Sequence, residues 1–120
     1  MIVAGFGFRS ETTLAALQDA LARAGGATGV THLATLAAKA PGLSPLGQAL
    51  GLPVIALAAE VLADQATITR SGRVEALFGT GSVAEAAALA AAGPGARLRG
   101  PRVVSADGTA TAAIAEGEMP

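Results

Sequence analysis

The sequence predicts a single three-layer α/β domain whose mostly parallel sheet is finished by an antiparallel C-terminal hairpin. Three observations carry that prediction. Short apolar runs, MIVAGFGF at the start and LPVIAL in the middle, alternate with segments of helical periodicity, the order that builds a sheet covered by helices. Sixteen glycines and six prolines punctuate the junctions between those segments. The last β-rich stretch, PRVVSADGTATAAIA, is divided by Asp107-Gly108, a dipeptide suited to a hairpin turn. A chain of 120 residues suits one compact domain, expected over residues 1–115, with EGEMP at 116–120 expected as a flexible tail.

The elements follow in order. MIVAGFGF is a buried strand running into a glycine turn. In SETTLAALQDALARAGG, Leu14, Leu17 and Leu21 fall on one helical face; Ser10 is the expected cap and Gly25-Gly26 the end. Val30 to Leu36 alternates only in part and reads as a strand. In SPLGQALG, Ser44 is the expected cap and Pro45 the first helical residue, where its missing N–H costs nothing. LPVIAL is the clearest strand, AAEVLAD a short helical turn, and SGRVEALF a helix capped by Ser71.

The longest alanine helix begins in FGTGSVAEAAALAAAG. A helix start preceded by glycines can hold an anion or simply be well capped. Ser82 and Glu85 stand as S-x-x-E before an apolar run, a capping box in which Ser82 accepts from the Glu85 amide and Glu85 reaches back to the Ser82 amide. Glu85 at this positive helix end would repel a second anion, and the lysine of a P-loop is missing. Ser82 and Glu85 therefore read as a structural cap, with Gly79, Thr80 and Gly81 walling one side of a pocket.

Composition excludes several functions. With a formal net charge of −1, no Trp or Tyr and three Phe, the chain offers neither a basic stripe nor stacking platforms for nucleic acid. Without cysteine, disulfide and thiolate chemistry are ruled out, and a single histidine argues against a zinc site. No metal or cofactor is expected. The start has no charged n-region and long apolar core of a secretory signal, and AEAAALAAAG is too short to span a bilayer; a cytoplasmic protein without membrane contact is expected.

Gly5 and Gly7 in GFGFRS suggest a dinucleotide loop, but Ser10 stands in place of its third glycine; the competing reading is a tight strand-to-helix turn. Loops after the carboxyl ends of parallel strands hold ligands in open α/β sheets, which places Arg9 at a ligand or in water. His32 reads as a packed or surface histidine or as a base, and Lys39, before Pro41-Gly42, as a loop cation. Thr69, Arg70 and Ser71 precede a predicted helix. Arg97, Arg99 and Arg102 gather near the last hairpin as a solvated edge.

Taken in order, the segments resemble the CobE family of cobalamin-biosynthesis proteins, equivalent to the C-terminal domain of the CbiG hydrolase. VAGFGFR resembles the first strand and G-x-G-x-R loop, LATLAAKAPGL the segment with a lysine before a short loop, TRSGRVEALFGTGSVAEAAALAAAG the most diagnostic block, and TATAAIA the closing strand. The resemblance covers essentially the whole chain. Phe8 stands where the family often has cysteine, and Ala40-Pro41 replaces an acidic residue that often follows the lysine. CbiG proteins carry a further N-terminal domain, so this chain is similar to the stand-alone form.

The resemblance implies a role on the corrin pathway near precorrin-5A, where CbiG opens a δ-lactone of cobalt-precorrin-5A and releases acetaldehyde. It implies Arg9, Lys39, Arg70 and Arg73 as partners of the macrocycle's acid groups, with Gly5, Gly7, Thr69, Ser71, Gly79, Thr80, Gly81 and Ser82 lining the site. His32 or Glu85 would be the base, and Lys39 or the Gly79–Gly81 amides the oxyanion donors. The alternative is a non-catalytic carrier of a precorrin or corrinoid; a nucleotide-binding module rests on G-x-G alone. Other cobalamin-pathway enzymes, and a second copy burying the alanine helix face, complete the expected partners.

Overall fold

A computed structural model describes residues 1–72, 74 and 80–117. Among these, six strands form one sheet: β1 (Ile2–Phe8), β2 (His32–Leu36), β3 (Val54–Leu57), β4 (Arg97–Leu98), β5 (Val103–Val104) and β6 (Ala110–Glu116). The helices with described bounds are α1 (Leu14–Ala24), α2 (Ala40–Leu50), α3 (Ala59–Ala63) and α4 (Val83–Ala92). The sheet order is β3-β2-β1-β6-β4, with β5 also paired to β6. β1, β2 and β3 are parallel; β6 runs antiparallel to β1, β4 and β5. The predicted α/β class, with antiparallel C-terminal strands joined through Asp107-Gly108, is what the chain adopts.

Side chains alternate across the sheet into two cores, as a period of two requires. Phe6, Leu33 and Ile114 pack on one face with Leu17 and Leu21 of α1 and Leu43 and Leu46 of α2. Val3, Leu36 and Ala115 pack on the other with Leu62 of α3 and Val83, Ala86, Ala87 and Ala88 of α4. That makes the three layers. α4 lies hard on the centre of the sheet because the surfaces are small: a Cβ on Gly5 would meet the Ala84 carbonyl oxygen at 2.1 Å and the Ala88 nitrogen at 2.5 Å. Its alanines Ala84, Ala86, Ala87 and Ala88 are fully buried within the chain's own fold.

Several boundaries differ from the expectation. Thr13, not Ser10, caps α1, accepting from the Ala16 amide at 3.1 Å, because Thr13 is the last extended residue before the helix. Gly25 and Gly26 do end it: their amides donate to the Ala22 and Leu21 carbonyls, the paired bonds of a Schellman motif. α2 starts at Ala40, straight out of a 3-10 turn over Ala37–Lys39. Pro41 sits in its first turn where no donor is needed, so Ser44 and Pro45 fall inside the helix instead of opening it. β2 begins at His32 instead of Val30. β6 runs on through Glu116, past the expected start of the tail, and the Gly117 amide donates to the Met1 carbonyl at 2.8 Å. β4 was not foreseen. Most of the helix expected in SGRVEALF lies outside the described residues. Among the described residues, no helix is long and apolar enough to cross a membrane.

Candidate functional site

The carboxyl ends of the parallel strands, the start of β6, the end of β5 and the start of α4 meet at one edge of the sheet. There a cleft of about 580 Å³ opens, lined by Gly7, Phe8, Arg9, Ser10 and Glu11 after β1, Lys39 before α2, Ser71, Val74, Val83, Arg102, and Val104, Gly108, Thr109 and Thr111 of the hairpin. Clefts of small molecules span roughly 300–1,000 Å³. Glycine, valine and a phenyl ring supply apolar lining, and Ser10, Ser71, Thr109 and Thr111 supply hydroxyls; among the described residues the charges are Arg9, Lys39, Arg102 and Glu11.

Local bonding fixes each wall. The Arg9 amide donates to the Thr109 carbonyl at 2.9 Å, and the Thr12 and Thr109 hydroxyls bond at 2.8 Å, joining the loop after β1 to the hairpin turn. In that turn Asp107 accepts from the Ser105 hydroxyl and from the amide and hydroxyl of Thr109. These bonds, the Thr109 amide foremost, hold the Asp107 carboxyl below its ordinary pKa. The Lys39 ammonium lies 5.7 Å from the Phe8 ring centroid, close enough for a cation–π contact. Phe8 in turn rests on α2 at Gly42, where a Cβ would come within 2.7 Å of the ring.

Below the cleft lies Glu85, fully buried. Its amide donates to the Ser82 hydroxyl at 3.2 Å, so the forward half of the capping box forms. The return half does not. The Glu85 carboxylate points away from the Ser82 amide: Oε1 accepts from the Ile68 and Thr69 amides at 2.6 and 2.9 Å, and Oε2 from the Arg102 amide at 2.8 Å. Burial pushes this carboxyl up, but the bonds from Thr69, Arg102 and Ile68 outweigh it and its pKa lies below the ordinary 4.5. Held in this way it is an anionic anchor, poorly suited to taking a proton from water.

The expected site residues therefore separate. Gly7, Arg9, Lys39 and Ser71 meet at the cleft. Ser71 also accepts from the Val74 amide at 3.4 Å, as a cap would. Thr69, Gly81 and Ser82 build its support: the Ser71 amide donates to the Gly81 carbonyl at 3.0 Å, and a Cβ on Gly81 would meet the Thr69 carbonyl oxygen at 2.3 Å. Thr80 is buried, its hydroxyl without a partner among the described residues. Gly5 is a packing residue beneath α4, not a lining one. Arg70 does not line the cleft; Arg73 and Gly79 lie outside the described residues.

His32 is at the other end. It opens β2 opposite Val3, at the amino ends of the parallel strands, and its Nδ1 meets the neighbouring Thr31 hydroxyl at 2.8 Å. A base there is a full strand length from the cleft. Sequence reasoning missed Glu11, Thr109, Thr111 and above all Arg102, which read as part of a solvated edge. The edge is real only for Arg97 and Arg99, the latter paired with Glu116 at 2.6 Å.

Residues 2–115 match the family described as Cobalamin synthesis G C-terminus. The crystal structure of CobE, a protein from the cobalamin (vitamin B12) biosynthetic pathway, is similar with a TM-score of 0.81 and 34% identity, over 96% of this chain and 89% of that one. Cobalamin biosynthesis protein chiG from Agrobacterium tumefaciens str. C58 is 37% identical with a TM-score of 0.72, over 99% of this chain and 100% of that one. A putative cobalamin biosynthesis protein G homolog from Sulfolobus solfataricus shares the fold at a TM-score of 0.75 and 15% identity; this chain spans 98% of itself and 37% of that protein. No curated protein matches the sequence.

Proposed function

The chain belongs to the Cobalamin synthesis G C-terminus family, and from that premise we propose that its cleft binds a polycarboxylated corrin-type intermediate near the precorrin-5A stage. One observation carries the reading: Arg9, Lys39 and Arg102 share with glycine, valine, phenyl and hydroxyl groups the lining of one cleft at the end of an α/β sheet where ligands sit. A macrocycle bordered by acetate and propionate groups presents the complementary pattern, with carboxylates for the cations and an apolar ring for the apolar lining. Glu11 opposes the three cations, which favours a ligand whose acids are spaced around a ring over one with a single dense charge.

Opening of a δ-lactone in this cleft calls for a base and an oxyanion donor. Lys39, which lines the cleft, would serve as the donor. His32 and Glu85 do not reach the cleft as bases, and Glu11 is the carboxylate among the described lining residues. Binding is therefore the function the geometry supports best, and hydrolysis is the outcome that separates an enzyme from a carrier.

The experiment is an absorbance titration with dicyanocobyrinic acid, whose side chains are free acids, beside dicyanocobinamide, whose side chains are amides. Tight binding of the acid, weakened by salt and at least about tenfold by Lys39→Ala or Arg9→Ala, is expected. Equal binding of acid and amide would overturn the role of the cations. Cobalt-precorrin-5A with acetaldehyde trapped in the same cuvette then decides the chemistry: repeated release marks a hydrolase, and a stoichiometric spectral shift without release marks a carrier.

A further inference from the structure

The carboxylate of Glu85 does more than the helix end beneath it requires. An N-cap needs one acceptor for the first-turn amides, and the Ser82 hydroxyl already provides it to Glu85's own amide. A glutamate at this position ordinarily turns back to the cap residue or out to solvent. Here it is fully buried, and both of its oxygens are spent on amides from two segments remote in sequence. Removing a carboxylate from water is costly unless its oxygens are fully engaged, so the three donors and the charge stand or fall together.

Both segments reach the cleft, one at Ser71 and the other at Arg102. Ile68 and Thr69 stand just before Ser71, which lines it; Arg102, which also lines it, donates its own backbone amide to Oε2. Arg102 sits in the chain between β4 and β5, where ladder pairing with β6 is interrupted, so the sheet alone does not fix its backbone. Glu85 does.

We propose that Glu85 is the positioning residue of the cleft: its carboxylate clamps the segment before Ser71 and the backbone of Arg102 into one unit, and acts on the ligand through them. This rests on the reading of the cleft as an anion-binding site. The clamp aims a guanidinium, whose planar fork is sensitive to orientation, while a lysine on a flexible stem tolerates slack. Substitution of Glu85 accordingly weakens carboxylate recognition without removing any group that touches the ligand.

Two measurements test it. In the unmodified protein without ligand, backbone amide resonances of Ile68, Thr69 and Arg102 are followed by 1H–15N NMR as pH is lowered. They should move together with a single midpoint below 4.5, because all three donate to one carboxylate. An Arg102 amide that ignores the titration of the other two overturns the clamp. This decides the matter even where a Glu85 variant does not fold.

The second measurement is affinity for dicyanocobyrinic acid. Glu85→Gln retains the side chain's length but turns an N–H2 toward one of the two segments; about a tenfold loss is expected, from one missing bond to a charged acceptor. Because Glu85 acts in large part through Arg102, the double variant Glu85→Gln/Arg102→Ala should lose much less than the sum of the two single losses. A folded Glu85→Gln with wild-type affinity, or additive losses in the double variant, overturns the positioning role and leaves the binding function standing. Failure of the unmodified protein to bind the probe overturns the binding reading itself, and this proposal with it.

Discussion

At the scale of single residues, glycine divides into two uses on one strand. Gly5 and Gly7 are two apart on β1 and so face the same side, toward α4. At Gly5 a methyl group would run into helix backbone, the Ala84 oxygen at 2.1 Å and the Ala88 nitrogen at 2.5 Å. At Gly7 it would meet the Thr111 hydroxyl at 3.0 Å and the Val83 Cβ at 3.3 Å. Backbone cannot step aside as a side chain can, so Gly5→Ala should destabilise the protein by about 3 kcal/mol and Gly7→Ala by clearly less. Urea unfolding of the two variants checks this, and equal losses would refute the close approach of α4 at Gly5. The G-x-G pattern was legible as a feature of the first strand; that one glycine admits a helix and the other lines a cleft was not, because the helix comes from nearly eighty residues further along the chain.

At the scale of elements, what the sequence showed and what it hid have a common cause. Strands β1, β3 and β6 and helix α4 were legible because their apolar patterns are long or their signals unambiguous, as with Ser82 before α4 and Asp107-Gly108 before β6. Helix starts with several candidate caps were not. Ser10 and Thr13 both precede α1, and only the backbone conformation decides; Thr13 takes it, with a bond of 3.1 Å to the Ala16 amide. Thr13→Ala should therefore cost about 1 kcal/mol in unfolding free energy, while Ser10→Ala leaves stability unchanged. Should Ser10→Ala be the costly one, the assigned start of α1 is wrong. β4 escaped notice for a different reason: two residues carry no readable period, and Arg97–Leu98 is a strand only because β6 offers an edge. The site was half legible on the same grounds. Arg9 and Lys39 follow strands and could be placed at their carboxyl ends, whereas Arg102 reaches the cleft through a break in ladder pairing that no local pattern announces.

At the scale of the whole molecule, the described carboxylates with depressed pKa values each join parts of the chain that are far apart in sequence or turn the hairpin itself. Glu85 ties α4 to the segments that reach the cleft. Asp19 of α1 accepts from the Ala106 amide at the hairpin tip at 2.8 Å and pairs with Arg23; the amide is the larger cause of its lowered pKa. Asp107 holds the turn, chiefly through the Thr109 amide. In the unfolded chain these groups take their ordinary values, 4.5 for the glutamate and 3.8 for the aspartates. Because the folded values are lower, the unfolded state binds protons first as pH falls, and the stabilisation present above the ordinary values is lost on descent through the depressed ones. The midpoint of urea unfolding should then be insensitive to these three groups from neutrality to about pH 5 and fall steadily below that. Glu85→Gln should flatten the upper part of the fall, since a glutamine has no proton to gain, while Asp19→Asn and Asp107→Asn act mainly at the acid end. A midpoint that holds or rises on acidification would mean that these carboxylates are not bonded as described, and with them would go the clamp beneath the cleft.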